Sequence, residues 1–305
     1  MIDSPSSWCD WVQKLYALAT NRHYPETDAE IMVYLLYFIF LSHMIVAHSE
    51  PCNPKKDEGC VAKNAALHGL VTDSLTSTSG SLESSNSCPL ICFHDNGTRF
   101  GIIERYDNPR LASSEYILYG KVEADIMGAP GRGIISSFYL QSDDLDEIDI
   151  AEVFGDNEGV FQTNFFVKGD VATYGDGAYH PVTTSTTHNF HRYGVRWTEK
   201  EIEWSIDGTA VRHKARGGLP TSPMRVILSL WVGGDETNNP GTVAWAGGLT
   251  DFSKLPFSMY AKNVFVENYS KGDYYVYGKE SGVSVENETR ANSFLSRLGI
   301  TRPAQ

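Results

Sequence analysis

The stretch DEIDIAEVFG, Asp146–Gly155, sets Glu147, Asp149 and Glu152 among residues that favour extended backbone. Ile148, Ile150, Val153 and Phe154 are strand formers. Side chains alternate across a strand, so Glu147 and Asp149 share one face while Ile148 and Ile150 take the other. In a regular strand the acidic face continues with Ala151, and Glu152 turns to the apolar side. A β-bulge at Ala151 returns Glu152 to the acids, and bulges are common beside active sites, where they re-aim a side chain. The competing reading is a solvated acidic edge, continuous with the turn that carries Asp143 and Asp144.

Three carboxylates on one face repel each other, which splits their pKa values. Such a split suits chemistry at a glycosidic bond, where one carboxylate attacks and another carboxyl donates a proton. A retaining mechanism needs the two groups about 5–5.5 Å apart. Five steps along a flat strand cover about 16 Å. Catalysis by Glu147 and Glu152 therefore implies a curved sheet with a groove on its concave face.

Aromatic residues make up 12% of the 305-residue chain, glycine is plentiful, and the formal net charge is −13. The short periodic segments favour an all-β domain. No basic cluster is present, so nucleic acid is not an expected partner; a neutral polysaccharide fits the balance. The five cysteines, Cys9, Cys52, Cys60, Cys88 and Cys92, lack the paired spacing of a zinc site. No metal or other cofactor is expected.

Ile31–Ser49 is the one strongly apolar run, interrupted by Ser42 and His43, and Ala47–Ser49 offers small residues where a signal peptidase reads. Cleavage would start the mature chain near Glu50; an uncleaved signal anchor and a buried core helix are the other readings. Four cysteines would remain after cleavage, an even number suited to an oxidising compartment. Cys52 with Cys60 closes CNPKKDEGC and Cys88 with Cys92 closes CPLIC, although four cysteines allow three connectivities. Sequons at Asn96, Asn268 and Asn287 fit secretion.

The expected organisation is an extension over 1–49, a Cys-bearing and Ser/Thr-rich lead-in over 50–87, a catalytic domain over 88–270 and a polar tail over 271–305. The tail lacks the apolar stretch of a GPI signal, and Ala291–Leu298 could form a short helix. Within 88–270, turn signals separate segments such as GIISSFYL, VFQTNFFV and MRVILSLW, and IEWSIDGTAVR reads as a hairpin turning at Asp207-Gly208.

The ordered blocks SDDLDEIDIAEVFG, QTNFFVKG, TYGDG, HNFHRYGVRWT, IEWSIDG, PTSPMRV, WVGGD and GTVAWAGGLTDFSKLPFSMY closely resemble the fungal Crh-type chitin–glucan transglycosylases of glycoside hydrolase family 16. The resemblance spans about 116–269, with a weaker match at CNPKKDEGC. It implies a β-jelly-roll sandwich of two curved antiparallel sheets with a concave cleft. It also implies a secreted, monomeric enzyme that cleaves chitin or β-glucan with retention and passes the glycosyl unit to a sugar hydroxyl. Carried over, Glu147 is the nucleophile, Glu152 the general acid/base, and Asp149 steadies the nucleophile. Trp231 and Trp245 would stack on sugar rings, Thr242 matches a polar cleft position, one of Gln162 and Asn164 would bind a sugar hydroxyl, and Tyr174 would border the cleft. Trp197 and Trp204 read as core.

Two positions depart from the pattern. Both Ile150 and Ala151 separate Asp149 from Glu152, where the transglycosylases have one residue; the longer spacing is laminarinase-like. Ile227 stands where a basic residue is expected. Two alternatives remain: an endo-β-1,3-glucanase that transfers to water, and a carbohydrate-binding protein without turnover.

Overall fold

The computed structural model describes residues 63–76, 90–170, 175–215, 217–277 and 283–286, all within the unit Pro51–Gln305. Two antiparallel sheets form the body. The first contains β5 (Arg110–Ala112), β7 (Ile134–Ser142), β8 (Glu147–Phe154), β9 (Val160–Phe166), β10 (Ala178–Pro181) and β14 (Met224–Val232), in the order β10-β9-β8-β7-β14-β5. The second contains β2 (Leu70–Asp73), β3 (Ile91–His94), β4 (Gly97–Ile102), β6 (Gly120–Met127), β11 (His191–Trp197), β12 (Glu201–Ile206), β13 (Thr209–Ala215) and β15 (Phe257–Asn268). This is the all-β sandwich expected from the sequence. β8 lies in the interior of the first sheet, so its acids do not form a solvated edge.

Alternation builds the core. On β6, Val122, Ala124 and Ile126 point inward and are almost wholly buried. Lys121, Glu123 and Asp125 point outward and pair there, with Arg192 bridging Glu123 and Asp125. From the first sheet, Ile148, Ile150, Phe161 and Leu230 enter the same core, as do the fully buried Trp197 and Trp204. The hairpin between β12 and β13 turns at Asp207 and Gly208, with φ of 50° and 77°. Left-handed backbone at both central positions is what a tight two-residue hairpin needs.

Strands also form outside 88–270. β1 (Lys63–Ala65) pairs with β16 (Tyr274–Tyr277), which pairs with β17 (Val283–Glu286), and β2 lies along β15. From the lead-in, β2 thus joins the second sheet, while β1 and the tail strands β16 and β17 make a separate three-stranded sheet.

The Asn268 sequon is corrected by its surroundings. Asn268 is buried, and its Nδ2 donates to the Leu67 carbonyl at 2.7 Å and to the Tyr275 hydroxyl at 2.8 Å. The amide is committed to the interior and is not available as a glycan acceptor. Asn96 is exposed in the turn between β3 and β4. Cys92 is disulfide-bonded, while Cys52, Cys60, Cys88, Asn287 and the apolar run Ile31–Ser49 lie outside the described residues. Among the described residues, no helix is long and apolar enough to cross a membrane.

Candidate active site

The geometry of β8 decides where its acids point. On the β7 side, Asp149 opposes Tyr139 and Ala151 opposes Phe138, leaving Ile150 without a partner. On the β9 side, Asp149 opposes Asn164 and Glu152 opposes Gln162, so Ile150 and Ala151 together face Thr163. A bulge is present as expected, but it spans Ile150 and Ala151, and on the β7 side the extra residue is Ile150 and not Ala151. Both residues are fully buried and join the core. The small side chain of Ala151 therefore fits a packed interior. Two successive inward residues return Glu152 to the face of Glu147 and Asp149.

The start of the strand is pinned. The buried Asp146 carboxylate accepts the backbone N–H groups of Lys168, Thr221 and Ser222 at 2.7–2.9 Å, and Lys168 Nζ at 3.0 Å. Asp144 shares the same lysine. These acids anchor the strand beside Glu147 and stand apart from the cavity.

A cavity of about 260 Å³ opens over this face, lined by Asn108, Arg110, Ser137, Tyr139, Gln141, Glu147, Glu152, Ser229 and Trp231. Glu147 and Glu152 both line it. Asp149 is buried between them and hydrogen-bonds to Glu147. Glu147 Oε2 also accepts from Gln141 Nε2 at 2.5 Å. Glu152 Oε2 accepts from Ser137 Oγ at 2.7 Å, and Ser137 Oγ accepts from Trp231 Nε1 at 2.9 Å. Arg110 reaches the Tyr139 hydroxyl at 3.2 Å. The backbone carbonyl of Asp149 is held from the core side by Trp204 Nε1 at 2.9 Å.

The electrostatics separate the three acids. Burial pushes Glu152 up to about 8, assisted by the charge of Glu147 and opposed by the Ser137 hydrogen bond. Burial, then the charges of Glu147 and Glu152, hold Asp149 well above the carboxylate range. Burial also raises Glu147, but hydrogen bonds from Asp149 and Gln141 and the charge of Arg110 act the other way. Burial is thus least opposed at Asp149 and Glu152, while hydrogen bonds and Arg110 favour the charged form most at Glu147.

Sequence reasoning named several further residues. Trp231 and Trp245 stack on each other, ring centroids 5.9 Å apart and planes 19° apart, and Trp231 alone of the pair lines the cavity. Trp245 ends α1 (Pro240–Trp245), capped by Asn239, whose side chain accepts from the Gly241 N–H. A methyl at Gly233 would stand 2.7 Å from Ala246 Cβ. Glycine there lets the end of α1 close against the residues following Trp231. Gln162 and Asn164 are buried in register with Glu152 and Asp149; Gln162 accepts from Trp245 Nε1 at 3.1 Å, and Asn164 Oδ1 from the Phe165 N–H at 2.9 Å. Thr242 is half-buried in α1 and is not among the cavity residues. Tyr174 lies outside the described residues. Ile227 is buried, and the cation of the cavity is instead Arg110, which opposes Ser229 on the neighbouring strand.

The motif reading missed Asn108, Arg110, Ser137, Tyr139, Gln141 and Ser229. A signal existed for three of them: in SSFYLQS, Ser137, Tyr139 and Gln141 alternate with the core residues Phe138 and Leu140.

Residues 76–247 match the model of glycosyl hydrolases family 16. The chain belongs to this family. The family-16 chain is 45% identical over 232 residues to Crh-like protein CRH12 of Candida albicans, covering 75% of this chain and 46% of that protein. It is 43% identical over 249 residues to Congo red hypersensitive protein 1 of Saccharomyces cerevisiae, covering 81% and 48%. The chain thus spans about half the length of these curated relatives. Among solved structures, Crh5 transglycosylase without ligand superposes with a TM-score of 0.68 at 37% identity, covering 77% of this chain and 100% of that one. The same transglycosylase in complex with NAG matches equally. A prokaryotic β-1,3-1,4-glucanase, at 16% identity and a TM-score of 0.53 over 66% of this chain and 99% of that one, shares the fold.

Proposed function

We infer that this family-16 chain is a retaining transglycosylase of wall polysaccharide, cleaving chitin or β-glucan and joining the released glycosyl unit to a glucan or chitin acceptor. The observation that carries this reading is one cavity lined by two glutamates of the same strand face, with Asp149 buried and hydrogen-bonded to Glu147. The similarity to Crh5 transglycosylase, one of whose structures holds NAG, supports transfer and an N-acetylglucosamine-containing substrate.

In the first step the Glu147 carboxylate attacks the anomeric carbon while Glu152 protonates the departing glycosidic oxygen. The C–O bond breaks, a glycosyl ester forms on Glu147, and Glu152 is left ionised. Asp149 donates a hydrogen bond to Glu147, orienting the nucleophile and stabilising it when it leaves again. In the second step Glu152 takes the proton of an acceptor hydroxyl, whose oxygen displaces Glu147 from the opposite side. Two inversions give net retention. The Trp231 indole, pinned through Ser137, offers an apolar face to a sugar ring beside the acid.

Substrate chemistry places the work in the cell wall or outside the cell, and the Cys92 disulfide agrees with an oxidising compartment. Incubation with chitin oligosaccharides and a labelled glucan acceptor tests the reading. Labelled hybrid chains are expected; shortened chains without hybrid would mean a hydrolase, and binding without product a lectin.

Ser137 gives a finer test. Its hydrogen bond favours ionised Glu152, so its removal lets Glu152 keep the proton to higher pH. Ser137→Ala should move the alkaline limb of the pH–rate profile upward. It should also lower the maximal rate by about tenfold, on the scale of one hydrogen bond to a charged group. An unmoved limb would remove Ser137 from the acid's environment.

A further inference from the structure

Strand register places one row of residues across the whole six-stranded sheet, on the face that carries the cavity. Arg110 opposes Ser229, Ser229 opposes Ser137, Ser137 opposes Glu152, Glu152 opposes Gln162, and Gln162 opposes Tyr179. The cavity occupies this row from Arg110 to Glu152, across four strands, and also extends along β7 and β8 over Tyr139, Gln141 and Glu147. Beyond Glu152 the surface continues over aromatic rings. Trp245 stacks on Trp231, Phe154 meets Trp245 edge-on at 5.1 Å, and Tyr179 lies 5.9 Å from Phe154 with its plane tilted 31°. Phe154 is buried, whereas Tyr179 is 55% exposed. The row thus ends on an open ring supported from beneath by another ring.

We propose that Tyr179 is a stacking platform for a sugar unit of the bound polysaccharide, lying beyond Trp245 and about two units from the bond that is broken. Neighbouring strands are about 4.8 Å apart, so Tyr179 stands about 10 Å from Glu152 along the row. Sugar units in a β-linked chain repeat at nearly the strand spacing. A chain centred between Glu147 and Glu152 and laid across the strands therefore brings its second unit to β10. A phenol ring presents the broad apolar face that suits the C–H face of a β-linked sugar. The inference rests on the cavity being a β-glycan cleft; it adds the length of chain the cleft grips on this side.

The test is titration of wild type, Tyr179→Ala and Tyr179→Phe with short and long oligosaccharides of chitin and of β-1,3-glucan. Both polymer classes are used, so that whichever chain lies over β10 is captured. For one class, Tyr179→Ala should weaken binding of the long oligosaccharide about tenfold, a change of about 1.4 kcal/mol. Binding of the short one should be unchanged, showing an intact fold and centre. Tyr179→Phe, which keeps the ring, should bind the long chain like wild type. Equal affinities of Tyr179→Ala and wild type for both long chains would overturn the proposal. So would an equal loss on short and long chains, or a loss in Tyr179→Phe as large as in Tyr179→Ala. A wild-type protein that binds neither polymer class is a separate outcome, which overturns the β-glycan reading itself and the proposal with it.

Discussion

Glu147→Gln should lose glycosyl transfer by on the order of 10⁴- to 10⁶-fold, the scale reached when the nucleophile of a covalent mechanism is removed. A neutral amide cannot form the glycosyl ester, and no neighbour can replace it. Asp149 is buried, and burial disfavours the ionised form of both Asp149 and Glu152. The fold should tolerate the change, since the amide can still bond to Gln141 and accept from Asp149. Single-turnover transfer from a chitin oligosaccharide to a labelled glucan acceptor measures the loss. Retention of a tenth or more of the wild-type rate would remove Glu147 from the role.

The second large effect concerns the acid. Glu152→Gln should slow cleavage by about 10²–10⁴-fold for donors with poor leaving groups, the usual worth of a general acid. Donors whose leaving group departs without a proton should be affected far less in the glycosylation step, which separates this role from that of Glu147. The wild-type rate should fall as pH rises through about 8, where Glu152 ionises. Stability moves in a defined direction. The folded-state pKa is raised, so the stabilisation tied to the bound proton is fully present below the ordinary glutamate range and is lost as pH rises through about 8. The amide introduced by Glu152→Gln cannot ionise, so the variant should lack that loss and be the more stable protein in the alkaline range. Urea denaturation of both proteins at acidic and alkaline pH checks the sign. A Glu152→Gln protein that loses stability with pH as wild type does would place the titrating group elsewhere.

Much of this was legible in the sequence because two periodicities were strong. Alternation placed Glu147 with Asp149, and the break in step at Glu152 announced the bulge that β8 contains. Asp207-Gly208 marked its hairpin because two left-handed residues are what such a turn requires. Trp197 and Trp204 read as core and are fully buried. The division of the bulge was not legible, since Ile150 and Ala151 are both apolar and only the ladder with Phe138 and Tyr139 shows which lacks a partner. The remaining cavity residues come from β5, β7 and β14, and local alternation gives each strand a polar face without giving its neighbour or register. Arg110 is the clearest case: it stands 37 positions before Glu147 in the chain, yet shares its cavity. The sequon at Asn268 misled because a tripeptide carries no information on burial. The strand of KNA was missed because so short a polar segment gains its order from a partner distant in the chain, and VSVE was missed because it pairs only with β16, whose own partner is that segment.

The central claim is that Glu147 carries the glycosyl group while Glu152 handles the proton. Its most direct test is mass spectrometry of the protein after brief reaction with an activated chitin-oligosaccharide fluoride, followed by peptide mapping. The account predicts a glycosyl adduct on the peptide bearing Glu147, absent from Glu147→Gln, and transferred products of retained anomeric configuration. An adduct on Glu152, or products with inverted configuration, would contradict it.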